Sequence, residues 1–322
     1  VATPLNASGA PRVHSSLEQA PAAHSTDNNA QEQGMKIEMG DMTIQRIVEM
    51  EGPLRPALDF FDDLTPALLD ENRAWLREAG ALDAEDKIVL CFQSYVIRTP
   101  HHTILVDSCI GNDKERPGRP VWDHKTDDTY LSALAQAGLS VDDIDFVLCT
   151  HLHVDHVGWN TRLQDGRWVP TFPNARYLFS AKELAFWTAE AKTKPLHHID
   201  DSVLPIVAAG RADLVTSSHA LGDHLRLLPT PGHTIDHFAV ELGRGATHAV
   251  VTGDLIHSPL QTRYPEFNMF ADSDRAQAAT TRRSFLERYS DTPTLCCFAH
   301  FPSPSVGRIK PWGTGFRYDF GV

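Results

Sequence analysis

From Met42 to Met50 (MTIQRIVEM) apolar and polar side chains alternate, the period of two expected of a half-buried strand. The period changes after Thr65-Pro66. Threonine caps helices well, proline suits a first helical turn and Gly80 supplies a stop, so the spacing predicts a helix between them. Leu68, Leu69, Asn72, Trp75, Leu76 and Ala79 share one face of it, either a core stripe or a lid over a pocket. Strands follow at 88–97 and 102–106, joined near Thr99-Pro100, then a helix over 127–138 with Leu131, Leu134 and Ala135 inward. Asp145 to Thr150 (DFVLCT) reads as a short buried strand that runs straight into His151. Beyond it the pattern predicts strands at 176–180, 225–229, 238–242, 249–252 and 295–299, with helices at 181–191 and 274–289. Strands in both halves interleaved with helices predict two sheets with helices outside.

Residues 1–34 show no periodicity and are rich in Ala, Ser, Pro, Asn and Gln. They carry no apolar core of a signal peptide. They read as a flexible N-terminal arm, a remnant of a processed leader, or sequence added for expression, with the ordered domain at 35–322. No apolar run in the 322 residues approaches the roughly 20 needed to cross a bilayer.

A formal net charge of −13 argues against phosphate-rich partners, so the expectation is a small-molecule substrate, no nucleic acid and no membrane partner; homodimerisation is left open. The five cysteines form no CxxC pair, and their odd number suits buried reduced thiols in a cytoplasmic protein. A periplasmic or secreted location after leader removal is the alternative. Seventeen histidines are many for this length and turn attention to metal.

Thr150 to Asn160 reads THLHVDHVGWN, which places His151, His153, Asp155 and His156 on one loop after a buried strand. Zinc accepts imidazole nitrogen and carboxylate oxygen, and catalytic sites keep a position open for water. One tetrahedral ion cannot easily use all four, so so short a loop is better read as serving two ions. The same grammar recurs three times: LRLLPTPGHT ends a strand before His233, AVVTGD before Asp254, and LCCFAH before His300. Each sets a ligand-type residue at the end of an apolar strand, where sheet proteins assemble their sites.

The set HLHVDH, PGHT, TGD and FAHF resembles the metallo-β-lactamase superfamily over about residues 41–320. Within it the chain looks most like the branch of N-acyl-homoserine lactone lactonases and methyl parathion hydrolases, supported by HHTILVDSCIGNDK (101–114) and TGDLIHSP (252–259). The resemblance implies an α/β fold, a four-layer αββα sandwich, and two divalent ions per chain, expected to be zinc. It implies that His151, His153 and His233 hold the first ion, that Asp155, His156 and His300 hold the second, and that Asp254 bridges them. Departures narrow the reading. True di-zinc β-lactamases typically have Cys in the place of Asp254, and redox di-iron members have Glu where His153 stands. Lactonases of the best-known type carry Tyr three residues after the bridging Asp, where this chain has His257, as in phosphotriesterase-like members.

The expected chemistry is attack by a hydroxide bridging two metals about 3.5–4 Å apart. Asp155 is then both ligand and proton shuttle, and His257 is a candidate for substrate orientation or proton transfer. Asp107 either orients a ligand histidine or caps a turn. Trp159, Asn160, Phe60, Phe61, Trp122, Phe267, Met269 and Phe270 are expected near the site and favour an apolar acyl or aryl substrate. The function so implied is hydrolysis of a lactone or carboxylic ester. The alternative is a phosphotriesterase-like or other xenobiotic hydrolase, hydrolytic dehalogenation included.

Overall fold

A computed structural model describes residues 36–320; the stretch 1–34, read above as an arm, lies outside them. In chain order the first strands are β1 (Lys36–Met39), β2 (Met42–Pro56), β3 (Lys87–Arg98), β4 (Thr103–Val106), β5 (Phe146–Leu148), β6 (Thr161–Gln164), β7 (Arg167–Pro170), β8 (Arg176–Ser180) and β9 (Ala212–Val215). β6 and β7 pair as a hairpin, and the other seven form a sheet in the order β1-β2-β3-β4-β5-β8-β9. The second half supplies β10 (Ala220–Leu221), β11 (Leu225–Pro229), β12 (Phe238–Leu242), β13 (Ala249–Val251), β14 (Leu295–Cys297), β15 (Val306–Trp312) and β16 (Gly315–Asp319). These make a second seven-stranded sheet, in sequence order.

The layers follow from which way successive side chains point. Ile104, Val106 and Leu148 from the first sheet meet Leu227, Val240, Val251 and Cys297 from the second in the core between them. Their neighbours Leu105 and Val147 point outward, under Tyr130 and Leu134 of the helix Thr129–Gln136. Val250 and Cys296 point outward on the other sheet, under Phe285 and Leu286 of the helix Arg275–Tyr289. Both faces of each central strand are therefore buried, which is why DFVLCT and AVV are continuous apolar runs. The result is the αββα sandwich. All five cysteines are buried and free.

The elements that the pattern predicts are found near their expected positions, though the inward face of one helix differs. Tyr130, Ala133 and Leu134 face inward from the helix Thr129–Gln136, while Leu131 and Ala135 are exposed. Two stripes of equal spacing share Leu134, and the larger ring wins. Tyr130 stacks on Trp159 at 5.1 Å between ring centroids, and its hydroxyl lies 3.0 Å from Ser94 Oγ. The helix Pro66–Glu78 is capped by Thr65 as expected, and Leu69, Asn72 and Leu76 are buried on it. No helix among the described residues is long and apolar enough to cross a membrane.

Buried Glu49 on β2 anchors the loops that flank the site. It accepts hydrogen bonds from Ile110 N, Lys125 Nζ and Trp159 Nε1, at 2.7, 2.8 and 2.8 Å.

Candidate metal centre

β4 pairs parallel with β5, and β13 parallel with β14, so their C-terminal ends share one edge of the sandwich. β11 runs antiparallel to β12, and β12 to β13, so β11 also ends there. Asp107, His151, Asp254, His300 and His233 stand just past those ends. Two donor clusters result: His151, His153, His233 and Asp254 in one, Asp155, His156 and His300 in the other. All are buried except His153 and Asp155, which are half-buried and line a cavity.

Asp254 lies between the two clusters. Its Oδ2 is 3.7 Å from His151 Nε2 and 3.3 Å from His233 Nε2, while its Oδ1 is 3.0 Å from Nε2 of both His156 and His300. Asp155 Oδ2 stands 3.9 Å from His156 Nε2 and 3.7 Å from His300 Nε2. The backbone turn that delivers Asp254 needs glycine before it. Gly253 has φ +53°, and a Cβ there would lie 2.6 Å from His237 Nε2.

Four histidines are oriented through Nδ1, which leaves Nε2 for the centre. His156 Nδ1 donates to Asp107 Oδ2 at 2.9 Å, His233 Nδ1 to Asp272 Oδ1 at 2.8 Å, and His300 Nδ1 to the Cys91 carbonyl at 2.9 Å. Thr150 Oγ1 donates to Asp107 and accepts from His151 Nδ1 at 3.1 Å. Asp107 also accepts from Thr150 N at 2.7 Å, so it both holds the turn and orients a histidine.

Burial favours the uncharged imidazole and pushes His151 and His153 well below the usual histidine range. Burial would also lower His233, but hydrogen bonds to Asp254 and Asp272 and their charges carry it up to about 9. Burial alone would raise Asp254; the surrounding histidines, His156 and His300 foremost, hold it well below the carboxylate range. The carboxylates thus attract positive charge into a pocket of imidazoles.

These residues fit a divalent cation. With Nδ1 of both rings donating, His156 and His300 face each other through bare Nε2 atoms 3.3 Å apart. His233 Nε2 and His153 Nδ1 also converge, 2.9 Å apart. His151 Nε2 and Asp254 Oδ1 are enclosed without any aligned hydrogen bond. Lone pairs crowded on one point, in a set of imidazoles and carboxylates, are what zinc-type ions accept.

Residues 93–300 match the profile of the metallo-β-lactamase superfamily. The chain belongs to that superfamily. No curated protein sequence matches it. Among solved structures of the fold, AidC, a dizinc quorum-quenching lactonase in complex with a product, aligns with TM-score 0.74 and 21% identity over 89% of this chain and 97% of that one. The hydrolase AbOPH of the β-lactamase superfamily aligns with TM-score 0.74 and 24% identity, over 89% and 98%. An N-acyl homoserine lactone hydrolase with N-hexanoyl-L-homoserine bound at its catalytic metal centre aligns with TM-score 0.58 and 19% identity, over 80% and 92%. The identities are low enough that these likenesses concern the fold.

Superfamily motifs brought the seven donor residues into view, but three neighbours of the centre carry no such signal. Asp272 orients His233. His237 accepts from Asp254 N at 2.9 Å through Nε2, and its Nδ1 lies 2.8 Å from Thr230 Oγ1. Burial, with the charge of His233, keeps His237 neutral, with its pKa down at about 3. Trp187 packs on His153 with ring centroids 5.4 Å apart. His237 stands in PGHTIDH, where a second histidine four residues after the first was a usable hint. His257 sits inside the centre, its Nε2 3.1 Å from Asp254 Oδ2.

Above the donors opens a cavity of ≈ 690 Å³. Phe60, Trp122, Met269 and Phe270 line it as expected, joined by Leu90 and Phe92. Phe61, Trp159, Asn160 and Phe267 do not line it. Phe61 and Phe267 are packed in the cluster behind, Trp159 is held under Tyr130, and Asn160 Oδ1 accepts from Ser108 Oγ. The stripe on helix Pro66–Glu78 also belongs to that packed cluster.

The role of Asp272 is testable without emptying the core. Asp272→Asn keeps the shape but replaces the carboxylate that fixes the His233 ring. Zinc affinity is expected to fall about 10–100-fold, read by competition against chelators of graded strength. Unchanged affinity would show that His233 needs no such partner.

Proposed function

We propose that this chain is a dinuclear zinc hydrolase that opens lactones, with N-acyl-homoserine lactones as its substrate class. One observation carries the reading: Asp254 offers one carboxylate oxygen to each of two His/Asp clusters, beneath an apolar cavity. In this reading His151, His153 and His233 hold one ion, Asp155, His156 and His300 the other, and Asp254 bridges them. Two divalent ions held there would lower the pKa of a water between them and polarise the scissile carbonyl. The product-bound lactonase neighbours support the substrate class.

The chain's own residues supply the rest. Asp155 is the most open carboxylate of the set and borders the cavity, so it can take a proton from the attacking water and return it to the leaving alkoxide. His237 pins the Asp254 backbone, while Asp107 and Asp272 keep two rings in register. Phe60, Leu90, Phe92 and Phe270 receive an acyl tail and exclude water from the reacting ester.

His257 favours a second reading, a phosphotriesterase-like hydrolase. It stands where the best-known lactonases present a phenol, and its ring is hydrogen-bonded to Asp254. One experiment separates the two. The expected order of kcat/KM is an acyl-homoserine lactone first, then a p-nitrophenyl ester, then an aryl phosphotriester. Efficient triester hydrolysis without lactone turnover would overturn the lactonase in favour of the second reading. His257→Phe, run on the same substrates across pH, should lose one limb of the lactone profile if His257 moves a proton. An unchanged profile rejects that role.

A further inference from the structure

The cavity has two sides of different chemistry. Phe60, 6.2 Å from His257, and Phe92, 5.2 Å from His300, begin the apolar side. The other side begins at His153, continues to Trp187 and reaches His198 at a ring separation of 6.0 Å. Several polar groups around the cavity are already engaged. Trp187 Nε1 donates to Glu183 Oε2 at 2.7 Å, and Glu183 Oε1 accepts from Asp236 N at 2.9 Å, so the indole is locked and presents only its ring. Arg116 forms a two-pronged pair with Asp201 at 2.7 and 3.0 Å. At the rim, Arg55 lies over the Phe270 ring and Arg119 over Trp122.

Among the described residues, Arg116 Nε, Trp122 Nε1 and His257 Nδ1 are enclosed without a partner, but each of those side chains is committed elsewhere or sits at the centre or the rim; His198 is an imidazole free at both nitrogens. It lines the cavity, yet neither ring nitrogen has a hydrogen-bond partner among the described residues, and Nε2 is enclosed. An enclosed polar nitrogen without a partner is disfavoured and calls for an explanation. The short helix His197–Ser202 that carries it is not loose. Asp201 on the same helix takes the Arg116 pair, and its carbonyl accepts from Thr161 Oγ1 at 2.5 Å. The imidazole is thus delivered rigidly and left uncommitted, as a preorganised recognition group should be. Burial, aided by the charges of Arg116 and Arg119, lowers it to about 4, so at neutral pH it offers one donor and one acceptor.

Resting on the lactonase reading above, we propose that His198 is a specificity residue whose imidazole hydrogen-bonds the amide linking the acyl tail to the lactone ring. An amide carries both a donor and an acceptor, and so suits a neutral imidazole in either tautomer. A lactone with the same alkyl length but no amide leaves His198 unpaired. A site built to hydrogen-bond a substrate group discriminates against the analogue that lacks it, because its own polar atom stays unsatisfied.

The test compares an N-acyl-homoserine lactone with an alkyl γ-lactone of equal chain length, on zinc-loaded wild type, His198→Phe and His198→Gln. Wild type should prefer the amide substrate. His198→Phe should lose about tenfold in kcat/KM on it, mainly through KM, while holding or gaining on the alkyl lactone. His198→Gln, which again offers a donor and an acceptor, should recover part of the loss. Zinc content and melting temperature of the variants should match wild type. Equal losses on both lactones, or a loss that tracks zinc content, would overturn the role of His198 and leave the lactonase reading standing. Wild type that opens neither lactone would remove both.

Discussion

Asp254→Ala is expected to abolish turnover and to reduce bound zinc below two ions per chain. The argument is geometric. Each carboxylate oxygen of Asp254 faces a different group of imidazoles, so its removal disturbs both clusters at once. Loss of an outer hydrogen-bond partner typically costs about 10–100-fold. Loss of a group shared by both clusters should cost more, beyond about 100-fold in kcat/KM. Electrostatics point the same way. His156, His300, His257 and His151 hold the Asp254 carboxyl ionised despite burial, so the alanine variant leaves a crowd of imidazoles with Asp155 as the carboxylate on their Nε2 side and Asp107 and Asp272 behind two of the rings. Metal analysis after zinc saturation, with circular dichroism to confirm folding, reads the outcome. Two ions per chain and retained activity in Asp254→Ala would end the bridging assignment. A single ion per chain in fully active wild type would end the dinuclear one.

Lengthening the acyl chain of the lactone from four to eight carbons is expected to raise kcat/KM by up to about 200-fold. Burial of each methylene contributes roughly 0.8 kcal/mol, about fourfold, when it leaves water completely. Phe60, Leu90, Phe92, Trp122, Met269 and Phe270 supply the receiving surface, and the cavity of ≈ 690 Å³ leaves room for the chain. Part of the tail will stay near the rim, where Phe270 is 41% exposed, so the full increment marks a ceiling. The slope of log(kcat/KM) against chain length measures how far the tail is enclosed. A flat series would show that the tail lies outside the aromatic side and would remove the basis for an acyl substrate.

Much of this protein was legible in one dimension because its chemistry sits at strand ends. A continuous apolar run marks a strand buried on both faces, and the polar residues within a few positions of its end must emerge at the edge of the sheet. That holds for CT-His151, VVTG-Asp254 and CCFA-His300, so the residues that the structure gathers into the two His/Asp clusters were visible beforehand. The helix from Pro66 was equally plain, since Thr65 and Gly80 act locally. The β6–β7 hairpin went unread although Asp165-Gly166, both at positive φ (51° and 73°), carries a recognisable turn signal.

What the chain alone determined was therefore residue type and local period: which segments are buried on two faces, where they stop, and which ligand-type side chains follow. What only the tertiary structure decided was pairing at long range. Asp272 meets His233 across 39 residues, Cys91 O meets His300 across 209, and His198 comes to the cavity through an Arg116–Asp201 pair 85 residues apart. The same holds for the orientation of Tyr130 against Leu131, where two stripes of equal spacing compete and a stacking partner at Trp159 chooses. Helical and strand periods are set by neighbours a few residues away, whereas a hydrogen bond between distant segments depends on how whole sheets are laid together. No local pattern encodes it.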